Sequence, residues 1–328
     1  MTRRTATADP TTDPTVLRVS EPGDILGVIP YLLGFHPTSS LVATFVRDRQ
    51  VRVTARIDLA ATADLEGLVD QLELVAGRVE TRSVVLVGYS DDPEVRGLMR
   101  DLADLVPLDL LDVLAVSGDR WWSVGCDGPC CPPEGNPYDI STHPLAATAV
   151  LAGISATATR QEIADLTAGP PTEERERLEA LTTDRAARID RLSQRRQRRR
   201  MRQLVSKVLA SAGPTEVEAV EIAVLARDVH VRDEAWALMT RERGAEHVAL
   251  WRRVVSVAIW PYEAAPLGML GIAGWLSGNG ALLNCCIERL EQIAPDYSLL
   301  QILTDISDSA LPPSYFDLVL DDMRQVMG

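Results

Sequence analysis

A chain of 328 residues, 46% of them hydrophobic, has enough apolar material for two cores, which excludes wholesale disorder. Its net charge of −14 excludes general affinity for nucleic acid, because most of the surface would repel a phosphate backbone. No apolar run approaches the roughly 18 residues of a membrane-crossing helix, and five cysteines without an export signal make no disulfide framework.

The N-terminus, M-T-R-R-T-A-T-A-D-P-T-T-D-P, lacks the apolar stretch of a signal peptide and is expected to be a disordered leader over residues 1–15. The protein is therefore expected in the cytoplasm with reduced thiols. Val16 to Val19 is a short apolar run, and Ser20 is suited to cap a helix starting at Glu21, with Pro22 in its first turn and Pro30 as a kink. Ser40 to Arg47 reads as a strand, and Arg47-Asp48-Arg49-Gln50 as a turn. From Val51 to Leu59 the pattern is strict: Val51, Val53, Ala55, Ile57 and Leu59 face one way, Arg52, Thr54, Arg56 and Asp58 the other. Period two over nine residues predicts the second strand of a hairpin.

Leu65, Leu68, Val69, Leu72, Val75, Ala76 and Val79 recur at helical spacing. S-V-V-L-V-G (83–88) reads as a strand buried on both faces. A helix from Pro93 to about Val106 follows, then strands near Asp112 to Val116 and Arg120 to Val124. Helices between buried strands predict an α/β domain with a mixed sheet over residues 16–157. Beyond it only helical patterns remain: Pro144 to about Ala156, a capping pair Thr159 and Glu162, charged connecting helices over 158–212, and an all-helical domain over 213–328.

Glu173 to Ser211 has the composition of one long helix, acidic at its start and basic towards its end. Its apolar stripe fails over S-Q-R-R-Q-R-R-R (193–200). Such a run is either a solvated connecting helix, its charge offset by the acidic remainder of the chain, or it meets an acidic partner, for which Arg195, Arg196, Arg198, Arg199 and Arg200 are the candidate contact surface. No aromatic residues interleave with them as base stacking would need. Lys207 is the only lysine.

Three cysteines fall within six positions in G-C-D-G-P-C-C-P-P-E-G-N-P (125–137). Cys126, Cys130 and Cys131 with His143 would make four zinc ligands, but adjacent cysteines seldom converge on one tetrahedral ion. A redox pair and a thiol nucleophile with His36 or His143 as base are further readings. The residue types favour a rigid loop, its prolines fixing the backbone and its cysteines filling a crevice beside Trp121 and Trp122. On that reading no metal and no cofactor is expected. G-F-H-P-T-S-S (34–40) is either a turn or, with His36, Thr38, Ser39 and Ser40, a polar ligand pocket that Cys126 and Cys130 would complete. Phosphate-loop, nucleophile-elbow and zinc-protease signatures are absent. Cys285-Cys286 lies on an apolar helix and reads as core.

P-Y-L-L-G-F-H-P-T-S-S-L-V, R-W-W-S-V-G-C-D-G-P-C-C-P-P-E-G-N-P and G-W-L-S-G-N-G-A-L-L-N-C-C-I-E-R-L-E-Q-I-A-P-D-Y-S-L-L occur in that order. This is similar to the actinobacterial family catalogued as domain of unknown function 4192, over nearly the whole chain after the leader. The resemblance implies an actinobacterial cytoplasmic protein and brings no established activity, so it assigns no catalytic residue. The last motif also resembles a tetratricopeptide-like helix pair, departing from it at Leu283 and Leu290, where small residues belong. One such unit is short of a peptide-binding array. The expected function is a non-enzymatic binding or scaffold protein engaging a protein partner or itself through its helical half and arginine run. The alternative is an enzyme or small-ligand sensor with its site between the G-F-H-P loop and the cysteine loop.

Overall fold

The computed structural model describes residues 21–60, 64–126, 128–140, 143–151, 156–157 and 159–316. The leader, the apolar run at Val16 to Val19 and the capping role read for Ser20 lie outside them. Helix α1 (Pro22–Leu33) instead has Glu21 as its N-cap, whose backbone N–H donates to the Asp24 carboxylate at 3.2 Å. It runs through Pro30 and stops at Gly34, which takes a left-handed conformation (φ 83°) and donates its N–H to the Pro30 carbonyl.

Strands β1 (Ser40–Arg47) and β2 (Gln50–Asp58) form the hairpin that the alternation predicts. Next come α2 (Leu65–Arg78), β3 (Ser83–Tyr89), α3 (Val95–Leu105), β4 (Asp109–Ser117), β5 (Arg120–Ser123) and a two-residue β6 (Asn136–Pro137) within the cysteine loop. The six strands make one mixed sheet in the order β2-β1-β3-β4-β5-β6, parallel only between β3 and β4. Alternate residues of each inner strand separate two cores. Leu41, Ala43, Phe45, Val84, Leu86, Val113 and Ala115 pack on α2 and α3 through Leu68, Leu72, Met99 and Leu102. Val53, Ile57 and Leu59 join that side, as their period predicts.

The opposite face, with Val42, Val85, Val87, Leu114 and Val116, packs on Ile25, Leu26, Ile29 and Leu33 of α1. That apolar cluster continues without interruption into the helical half. There follow α4 (Pro144–Leu151), α5 (Arg160–Asp165), α6 (Thr172–Ile189), α7 (Gln194–Leu209), α8 (Glu216–Leu225), α9 (Val229–Trp236), α10 (Gly244–Val255), α11 (Ala264–Leu276), α12 (Gly280–Ile293) and α13 (Ser298–Asp308). Thr159 caps α5 by accepting from the Glu162 N–H, as its sequence predicts. No helix among the described residues is long and apolar enough to cross a membrane. Glycine brings α11 close to its neighbours: a Cβ on Gly271 would stand 2.8 Å from Leu303 Cδ1 and one on Gly268 2.7 Å from Leu299 Cδ1.

The single long helix expected over Glu173 to Ser211 is two helices. Ser193 takes an extended conformation as the N-cap of α7 (φ −63°, ψ 151°), which ends the helical course after Ile189. The carbonyls freed there are not wasted on solvent alone. Gln197 Nε2 donates to the Ile189 oxygen at 3.0 Å and to the Leu192 oxygen at 3.1 Å, so one side chain stitches the corner.

Candidate functional site

The G-F-H-P loop is tied to Thr157, near the other end of the α/β half, by an isolated β-bridge. Phe35 is buried and bridges Thr157. The His36 N–H donates to the Thr157 carbonyl at 3.1 Å, and the Thr157 N–H donates to the Gly34 carbonyl at 2.8 Å. Ser39 holds a positive φ of 44°, and its carbonyl accepts from the Leu59 N–H. Ser40 is fully buried with its hydroxyl committed, donating to the Thr38 carbonyl at 2.6 Å and accepting from Arg56 Nε at 2.7 Å. Thr38 and Ser39 are exposed, His36 half-buried. Burial pushes the His36 imidazole below its ordinary value, which keeps it neutral at pH 7. The four residues are neighbours, and of their side chains the Ser40 hydroxyl is committed to Thr38 and Arg56.

The cysteine loop is braced by Trp122, whose indole N–H donates to the Pro133 carbonyl at 3.1 Å and whose ring lies under the Arg96 guanidinium at 4.9 Å. Gly135 (φ 81°) packs so close that a Cβ there would come within 2.5 Å of the indole. Asn136 Nδ2 donates to the Cys130 carbonyl at 3.1 Å. These contacts brace the loop, but its cysteines are less buried than filling a crevice would make them: Cys130 is exposed and Cys126 and Cys131 are only half-buried. Convergence, too, departs from expectation. The sulfurs of Cys126, Cys130 and Cys131 all lie within 4.8 Å of one another, with Cys126 and Cys130 3.5 Å apart. That separation is far beyond a disulfide bond of about 2.05 Å. A turn closed by the Cys131 N–H on the Gly128 carbonyl (2.9 Å) brings the two adjacent cysteines to the same side. Burial, helped by hydrogen bonds with the neighbouring thiols, pushes the Cys131 thiol up to about 11. It is not the activated thiolate that nucleophilic catalysis needs.

His143 does not join the cysteines. Its Nε2 lies 3.6 Å from an Asp24 carboxylate oxygen, its Nδ1 accepts from the Leu145 N–H, and its ring covers Gly27, where a Cβ would come within 2.5 Å. The four-ligand set Cys126, Cys130, Cys131 and His143 therefore reduces to the three cysteines. Nor do the two loops meet. Ser40 is level with Tyr89, Val116 and Trp121 across the sheet, with β3 and β4 between it and β5, about 14 Å at ordinary strand spacing. The cysteines begin five residues beyond Trp121. One surface hollow, lined by Ile57, Asp64, Gly67 and Gln71, flanks α2; a smaller one, lined by Thr167, Val255, Glu263 and Arg289, lies among the helices. Neither is lined by a residue of either loop. Cys285 and Cys286 are buried, as their apolar helix predicts.

The arginine run divides between two tasks. Glu234, 4% exposed on α9, accepts from Arg198 Nε at 2.6 Å and from Arg202 Nε at 3.0 Å. Glu221, 9% exposed on α8, accepts a forked pair from Arg200 at 2.6 and 3.1 Å. Acidic groups do meet the run, and they belong to the same chain. At 100° per residue, the buried Met201, Leu204, Val205 and Val208 form one face of α7. Arg198 and Arg202 flank that face on one side, Arg200 and Lys207 on the other. Arg199 points directly away from it with Arg195 and Arg196 to either side, all three exposed and without an ion pair to any described residue.

Sequence reasoning missed the two glutamates. The signal was present for Glu221, a carboxylate inside the apolar stretch A-V-E-I-A-V-L. Glu234→Ala is expected to cost about 1–2 kcal/mol. Charge-assisted hydrogen bonds of this kind are worth about 1.5–3 kcal/mol, but guanidinium groups left 44% and 60% exposed recover part of it from water. Limited trypsin digestion should then cut within α7 sooner than in the parent, and unchanged digestion would mean the clamp is not what holds this helix.

Searches of curated proteins and of solved structures return no match. A family model does match, described as Domain of unknown function (DUF4192), and it covers residues 22–314, from the first residue of α1 to the stretch after α13. Both loops and the α7 clamp lie inside that span, and the chain belongs to this family.

Proposed function

We propose that this is a non-enzymatic binding protein of the actinobacterial cytoplasm that engages an acidic protein surface through the outer face of α7. The observation that carries the reading is the division of the arginines. Arg198, Arg200 and Arg202 fix the helix from both flanks, and Arg195, Arg196 and Arg199 are left together on the solvent side. Holding three guanidinium groups on a fixed helix lowers the ordering cost that a partner would otherwise meet. In a chain of net charge −14 a local basic face steers acidic partners to one place. A second copy of this chain is itself acidic and qualifies as such a partner. The enzyme or small-ligand alternative has less support, since the Ser40 hydroxyl is occupied and the two candidate loops stand apart.

The test compares the parent with a variant carrying Arg195→Glu, Arg196→Glu and Arg199→Glu, all exposed, and with the matching Arg→Lys variant. A partner, or the oligomer, identified by native mass spectrometry with the parent should bind the Glu variant at least about tenfold more weakly and more weakly still at high salt. The Lys variant should retain binding. Equal binding by all three would reject the α7 face. Tight, salt-sensitive binding of random duplex DNA at physiological salt, abolished in the Glu variant, would replace the protein partner with nucleic acid.

A further inference from the structure

The geometry points to a metal site that is independent of the α7 face: we infer that Cys126, Cys130 and Cys131 bind one zinc ion through three thiolates, with the fourth position open to solvent. Four bonds of about 2.3 Å in a tetrahedral arrangement set sulfurs about 3.8 Å apart. The three sulfurs here lie within 4.8 Å of one another, and the pair Cys126 and Cys130 stands at 3.5 Å. Adjustments of a few tenths of an ångström to about 1 Å, all within side-chain rotation, complete the contact with one ion.

Three features of the loop favour a cation over a packing role. Its cysteines are exposed or half-buried, whereas Cys285 and Cys286, which do pack, are buried. The chain reverses tightly at Gly128 so that adjacent cysteines share one focus, and Gly128 itself lies against the cluster: a Cβ there would stand 3.5 Å from the Cys130 sulfur and 3.7 Å from the Cys126 sulfur. The frame is held from outside by Trp122 on the Pro133 carbonyl and Asn136 on the Cys130 carbonyl, so the sulfurs need no support from one another to stay in place.

The donor set selects the ion. Only sulfur is offered, and among the described residues no imidazole or carboxylate joins the cluster. Thiolate ligands suit a soft d10 cation, and zinc accepts three protein ligands with a fourth exchangeable position. That position opens where Cys130 reaches the surface, so a water or an incoming ligand atom fills it.

The experiment uses the full chain, reduced and stripped of metal, titrated with cobalt(II) and then zinc(II), with circular dichroism recorded on every sample. One equivalent of cobalt should give thiolate-to-metal absorption in the near ultraviolet and the visible bands of a tetrahedral ion, and one equivalent of zinc should abolish both. Cys130→Ser, at an exposed position that leaves the fold intact, should weaken zinc at least about tenfold, since even outer-shell changes cost about 10–100-fold. His143→Gln should leave the affinity unchanged. The inference is overturned if folded, reduced protein gives no cobalt spectrum, or if Cys130→Ser binds zinc like the parent. It is equally overturned if His143→Gln abolishes binding, or if the chain isolated without reductant carries a Cys126–Cys130 disulfide that persists under the titration's reducing conditions.

Discussion

Trp251→Ala is expected to remove about 3–5 kcal/mol of stability, the range for emptying a fully buried large aromatic position. Trp251 is 0% exposed on α10, where that helix packs against α11 within the larger of the two cores. The total stability of a domain is only about 5–15 kcal/mol, so the variant should unfold at a much lower denaturant concentration than the parent. Trp251→Phe should cost less than half as much. The indole N–H is buried and has no hydrogen-bond partner among the described residues, so its removal lifts a penalty of about 1–3 kcal/mol while the benzyl group keeps most of the apolar contact. Urea midpoints for the three proteins at one pH decide the matter. Equal losses for Ala and Phe would mean that the N–H, and not the ring volume, is what the core needs.

The second large effect is a loss of about 3 kcal/mol on acidification from pH 6.5 to pH 4. His247 is 0% exposed on α10, and burial lowers its pKa from 6.5 to about 4. Arg243 adds to the depression, and the Leu238 backbone and Glu246 oppose it. The sign follows from which state takes the proton first. Below pH 6.5 the unfolded chain protonates this histidine and the folded one does not, so protons pull towards unfolding. The contribution is whole above 6.5, falls through the interval and is gone below about 4. A displacement of this size at about 1.36 kcal/mol per pH unit gives the figure. Glu218 titrates elsewhere. The Lys207 ammonium and the Thr215 backbone and hydroxyl hold it at about 2, so its contribution disappears only between about 4.5 and 2. Unfolding free energies measured every half unit from pH 7.5 to 4 should show the slope in the parent. His247→Gln should lose most of this slope, keeping the smaller share that His36 and, below about 4.5, the paired carboxylates supply, and a slope surviving undiminished in that variant would assign the effect to other groups.

Elements whose causes are local were legible. Alternation over Val53 to Leu59 specified both the strand and its inward side, because period two leaves a half-buried strand one choice of face, but a register shift opposite Phe45 and Val46 puts Val51, read as inward, on the other face and exposed. The Thr159 cap and the buried cysteines of α12 were likewise set by neighbours in sequence. What escaped depends on distant groups. The break between α6 and α7 is invisible in composition, since Gln197 makes it tolerable by reaching back to two carbonyls. The arginine run looked like a surface in need of a partner because Glu221 and Glu234 lie 21 and 32 to 36 residues further on. Convergence of Cys126, Cys130 and Cys131 rests on a single turn at Gly128, and the parting of His143 from them on its packing over Gly27. Spacing along a chain carries none of these.

The pairing of the G-F-H-P loop with Thr157 sets a timetable for synthesis. Gly34 and Thr157 are 123 residues apart, so at about 5–20 residues per second the first emerges from the ribosome roughly 6–25 s before the second. The hairpin of β1 and β2 needs only a two-residue turn and can form at once, but the loop entering it must wait. Through that interval the His36 amide has no Thr157 carbonyl to donate to and the Gly34 carbonyl no Thr157 amide to accept from, and these are the groups a nascent-chain chaperone would find uncovered.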